Sequence, residues 1–252
     1  MGKLLKIFTS SAWLLFWVVL AAQSADAQKR YPSIDDAWDG TDYRALIERH
    51  RKDGLELPTL SDAATKPVFE RMVDDGNIPL RAGLNKNLPA TIRFQKLDSA
   101  LDPVHKLVVL YASETQKGKP YATELARLTV YETKISGAML NLSDAVIAGL
   151  DKDARYQARI AEFDKLKNDA RQLYSDLVQR ISETRLYAKP DTLRIIRAAL
   201  NELPAYQPIF TDQDRQDHTR KLTQQISATS DQELKTALTE LRDAIEHRRV
   251  RT

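Results

Sequence analysis

From Tyr121 to Lys189 the chain runs without a proline, and apolar residues recur at alternating steps of four and three. Tyr121, Leu125, Leu128, Ile135, Met139, Leu142 and Val146 share one stripe, interrupted by Glu132. Tyr156, Ile160, Phe163, Ala170, Tyr174, Leu177 and Ile181 share a second, interrupted by Lys167. Such spacing marks one line along a helix, as a seam between paired helices requires. Gly149-Leu150-Asp151-Lys152-Asp153 lies between the stripes and reads as a turn. Folding there sets Val146 opposite Tyr156, Leu142 opposite Ile160, Met139 opposite Phe163 and Leu128 opposite Tyr174. One register satisfies both stripes, so the pattern predicts a long antiparallel helical hairpin over about 121–149 and 153–188.

The flanking segments show shorter helical patterns. Thr41 or Asp42 can cap a helix through Tyr43, Leu46 and Ile47 that stops near Gly54, and Ser61 can cap one carrying Val68, Phe69 and Met72. Pro67 sits in the first turns of that second helix, whose regular part can therefore begin only there. Residues 78–89 hold two prolines and Gly83 and read as an ordered loop. Phe94, Leu97, Leu101, Val104, Val108 and Tyr111 form another stripe, and Pro103 predicts a break in it. Pro190 or Asp191 opens a helix that ends at the prolines of 203–208, and Thr211 or Asp212 starts the next. Ser230-Asp231-Gln232-Glu233 matches a capping box ahead of Leu234, Leu238, Leu241 and Ile245. No strand alternation competes with these patterns. The expected fold is all-α, a helical bundle of about seven or eight helices built on the hairpin. The expected organisation is a leader at 1–27, an irregular and short-helix segment at 28–89, and the bundle at 90–252.

Composition agrees: few glycines and 29% charged residues favour helix over sheet. The formal charge of only +3 gives no basic excess of the kind nucleic-acid binding shows. At the N-terminus Lys3 and Lys6 precede an apolar core from Ala12 to Ala22, and Ala25-Asp26-Ala27 offers an A-x-A site before Gln28. That order reads as a cleavable secretory signal. Retention as an anchor is the alternative, but the apolar run is shorter than the roughly 20 residues a spanning helix needs. The expected location is periplasmic or secreted, with no permanent membrane span after cleavage. With no cysteine in the chain, stability there comes from packing without disulfides.

Candidate chemistry is sparse. Glu132 and Lys167 are the charges that fall on otherwise apolar stripes; in the hairpin register Glu132 faces Ala170 and Lys167 faces Ile135, so the two can form a buried polar pair across adjacent layers. Such a pair serves either to fix register or as the polar part of a ligand site. Asp35, Asp36, Asp39 and Asp42 surround Trp38, but Ala37 and Leu46 occupy positions where a calcium loop needs oxygen ligands. His50, His105, His218 and His247 are scattered and form no zinc-hydrolase motif. His247 leads into a basic tail of Arg248, Arg249 and Arg251. Without cysteine a covalent haem is excluded, and no nucleophile elbow or phosphate loop occurs. Leu222-Thr223-Gln224-Gln225 resembles the start of the L-T-x-x-Q motif of small periplasmic stress chaperones, but Ile226 replaces the final glutamine and no family is assigned.

No catalytic, cofactor or metal site is therefore expected. The leading expectation is a non-enzymatic binding protein that meets another envelope component, with a homodimer as one outcome. The second is a carrier of a small molecule or non-covalent haem inside the bundle.

Overall fold

The computed structural model describes residue 31 and residues 36–152, 156–182 and 186–247. The expected leader, residues 153–155 at the end of the expected hairpin turn, residues 183–185 and the basic tail lie outside these. The described residues are all-helical, without strands: α1 (Gly40–Asp53), α2 (Lys66–Met72), α3 (Ile78–Leu84), α4 (Ala90–Gln116), α5 (Ala122–Ala148), α6 (Tyr156–Ser182), α7 (Lys189–Tyr206), α8 (Asp212–Ala228) and α9 (Gln232–Glu246). A 3-10 turn at Gln207–Ile209 joins α7 to α8. No helix among them is long and apolar enough to cross a membrane.

Both long helices of the expected hairpin are present, and α5 is the axis of the bundle. Its face carries Leu125, Leu128, Ile135 and Met139, all buried, and its broadest packing is against α4 and α7. Helix α6 also touches it but leans further out, meeting α7 and α8 as well. One apolar core runs from Trp38 through α4 and α5 to Ile245. Helices α1 to α3 are sewn into it by polar groups. The buried Asn77 amide accepts from the Trp38 backbone (2.9 Å) and donates to the Arg71 carbonyl (2.7 Å). The Tyr43 hydroxyl donates to the Met72 carbonyl (2.9 Å) and lies 3.0 Å from the Tyr131 hydroxyl on α5.

The proline-bearing segments correct the sequence reading. Helix α4 continues through Pro103 instead of breaking. A proline inside a helix leaves the carbonyl four residues back without its donor, here Ser99. Arg44 of α1 supplies the missing donor, its Nη2 lying 2.8 Å from that oxygen. Gly40 lets α1 come this close, since a Cβ there would fall 2.1 Å from the same oxygen. Residues 78–84, expected as loop, form α3, with Pro79 in the first turn where no N–H is needed. Helix α7 likewise runs on past Pro204 to Tyr206.

Capping is shifted by a residue or two in places. Asp39 caps α1 and Asp42 completes its box, Thr211 caps α8 with Asp214, and Asp231 rather than Ser230 caps α9. The second helix begins at Lys66, next to Pro67, and there the shift is larger: its N-cap is Thr65, four residues beyond the expected Ser61, and makes no side-chain capping bond.

Candidate functional site

Because α6 leans away from α5, a groove of about 780 Å³ opens between α4 and α6 with α5 beneath. Its apolar lining comes from Leu101 and Val108 on α4 and from Leu166, Ala170, Leu173 and Leu177 on α6. Helices α4 and α6 run in the same direction, since the Phe94 and Phe163 rings lie 5.3 Å apart near one end and Ala112 and Arg180 share a cavity near the other.

At the centre of the groove, Glu132 of α5 is buried and accepts a hydrogen bond from His105 Nδ1 of α4 at 2.7 Å. A carboxylate can only accept, so Nδ1 carries the proton and Nε2 remains available on the exposed side of the ring. The bond to Glu132 raises the His105 pKa above its ordinary value, with the charges of Glu132, Asp102 and Asp176 adding to it and partial burial opposing. Thr129 and Ser136, one turn to either side of Glu132, complete the α5 floor.

Charge is unevenly distributed along the rim. At one end Asp98, Asp102 and Glu162 face each other, and partial burial followed by the charges of Asp102 and Glu162 raises the Asp98 pKa. Asp102 is paired with Lys106 (2.7 Å) and Asp169 with Lys165 (2.8 Å), while Asp98 and Glu162 have no cationic partner among the described residues. At the far end Arg180 reaches the Tyr187 hydroxyl (3.3 Å) and no carboxylate among the described residues. A second cavity of about 260 Å³ adjoins it, lined by Ala112, Leu125 and Leu186 and sharing Asp176 and Arg180 with the groove.

The two charges singled out from the sequence separate here. Glu132 is the buried member of a polar pair, and Glu132 and Ala170, placed face to face by the hairpin register, line the same groove. The partner of Glu132, however, is His105 and not Lys167, which is half-buried on α6 and does not line the groove. Helix α4 packs on α5 more extensively than α6 does, and it is the His105 imidazole that reaches the carboxylate. The sequence does hold a signal for His105: it stands four residues after Leu101 and three before Val108, at helical spacing from both.

The other histidines are elsewhere. His50 lies 2.7 Å from the Leu55 carbonyl and His247 2.6 Å from that of Asp243, each at a helix end. His218 is buried against Tyr174 and Phe210, with neither ring nitrogen partnered. No three metal-ligating side chains converge among the described residues. Met72 and Met139 are buried in the core, and neither lines the groove.

No protein-family model, curated protein or solved structure matches this chain.

Proposed function

We propose that this chain is a non-enzymatic binding protein of the cell envelope, exported by its N-terminal segment, and that it holds a positively charged amphipathic ligand in the groove between α4 and α6. The groove carries the reading. Its volume of about 780 Å³ falls within the range of roughly 300–1,000 Å³ common for small-ligand sites. Its leucine and valine lining suits an apolar body, and the uncompensated carboxylates of Asp98 and Glu162 suit a cationic end. The same carboxylates oppose haem, whose propionates are anionic. Export rests on Lys3 and Lys6, the apolar run after them and the A-x-A site.

Thermal unfolding in the presence of octylammonium, and separately of octanoate, tests the binding proposal. A melting temperature that climbs with octylammonium concentration and ignores octanoate supports it. An equal response to both ions, or to neither, overturns it.

A further inference from the structure

Accepting the groove as the ligand site, its shape and charge narrow the ligand further. We infer that the ligand is a short extended peptide, basic towards its N-terminus and ending in an apolar residue with a free carboxylate, lying with its basic end between Asp98 and Glu162 and its carboxylate on Arg180.

Three independent features of the groove lead there. The first is polarity: at one end stand carboxylates without a cationic partner among the described residues, and at the other a guanidinium that reaches the Tyr187 hydroxyl and no described carboxylate. A ligand with charge at one end alone would leave half of this arrangement unused. The second is length. Glu162 and Arg180 both line the groove and lie on one helix, and a rise of about 1.5 Å per residue separates them by roughly 27 Å. At about 3.3 Å per residue an extended chain covers that distance in about eight residues.

The third is the cavity beyond Arg180. Its volume of about 260 Å³ suits one side chain, and Ala112, Leu125 and Leu186 give an apolar residue its contacts beside the polar Thr115, Gln116 and Gln179. The C-terminal residue of a peptide carries its carboxylate and its side chain on the same Cα, diverging from one point. Arg180 stands at such a point, on the boundary of groove and cavity. Asp176, on the same boundary, accepts from Gln172 through Oδ1 at 2.8 Å. Its other oxygen accepts the last backbone N–H of the peptide. A carboxylate beside the arginine is thereby used for a donor and does not compete with the ligand's own anion.

Isothermal titration of the full chain with unlabelled octapeptides tests this. The reference peptide has two lysines, five alanines and a terminal leucine with a free carboxylate; its C-terminal amide and the reversed order are the controls. The reference binds, and both controls bind about tenfold more weakly or worse, as the loss of a charge-assisted bidentate contact entails. Arg180→Gln erases the difference between acid and amide, and Arg180→Lys restores part of it. The double change Asp98→Asn and Glu162→Gln weakens acid and amide alike and flattens their salt dependence. Melting curves of each variant show whether it remains folded. Equal affinity for acid and amide, or for forward and reversed order, overturns the inference. If octylammonium stabilises the protein and no peptide binds, the peptide inference fails while the carrier reading stands; if neither ligand acts, both fail.

Discussion

Helix α6 presents two faces that the fold treats in opposite ways. On one, Tyr174 is fully buried, its ring 4.9 Å from those of Tyr206 and Phe210, and its hydroxyl donates to the Ala199 carbonyl at 3.0 Å. On the other, the half-buried Leu166 and Leu173 line an open groove under a charged rim. Each face has a histidine opposite it. His218 on α8 is sealed among aromatic rings without a hydrogen bond, and burial lowers its pKa to about 4. His105 on α4 keeps one nitrogen on Glu132 and the other towards solvent, and its pKa is raised. The closed face carries stability, and the open face leaves charge and space uncovered, as the proposed binding requires.

The contrast is sharpest in side-chain truncation. Tyr174→Ala should cost roughly 3–5 kcal/mol in urea unfolding, because a large buried ring leaves a cavity and the Ala199 carbonyl loses its donor. A cost below about 1 kcal/mol would show that the aromatic junction is not the anchor of α6.

The histidines should separate by pH. His218 binds a proton near pH 6.5 when unfolded but only near pH 4 in the native state. Its burial therefore withdraws stability as pH falls from 6.5 towards 4, by roughly 3 kcal/mol in all. His218→Leu, which removes both unpartnered nitrogens, should flatten stability across that window and leave the protein at least as stable at neutral pH. An unchanged acid limb would mean that His218 is hydrated in solution.

His105 works the other way. Its native pKa lies above the unfolded value, so its charged pairing with Glu132 contributes fully below pH 6.5 and fades as pH rises through the raised pKa. His105→Ala leaves a buried carboxylate without its donor and should cost about 1–3 kcal/mol at pH 6, and less at pH 9. A loss that grew with pH would reverse this assignment. The smallest effect is expected from Leu173→Ala, next to Tyr174 but on the groove face. It should change stability by under about 1 kcal/mol, since the half-buried leucine leaves a wider groove and no sealed cavity. Its melting temperature, measured beside that of Tyr174→Ala, gives the difference between the two faces directly.

How far the site could be read in advance follows from what each signal depends on. Helix periodicity is local, so the stripes of α4 to α7 and α9 marked helices that are present. The oddity of Glu132 on an apolar stripe was also visible, because a charge at a buried position breaks a local rule. Its partner was not visible. His105 and Lys167 lie on different helices, and reach across the bundle depends on how far α6 leans from α5, which no local spacing encodes. The break expected at Pro103 has the same origin: a proline costs a helix one donor, and the sequence near it does not reveal that Arg44, 55 residues before Ser99 along the chain, supplies another.

The order of apolar and polar residues by itself determined that this chain is helical, roughly where its long helices lie, and that Glu132 would be out of the ordinary, since backbone periodicity and burial preference act over a few residues. Only the tertiary structure decided that α6 closes one face with aromatic rings and leaves the other open. It also decided that His105 takes Glu132, and that a cluster of acids and an arginine stand at opposite ends of one groove. Those outcomes come from the angles at which distant helices pack, and such angles are set by the whole core at once.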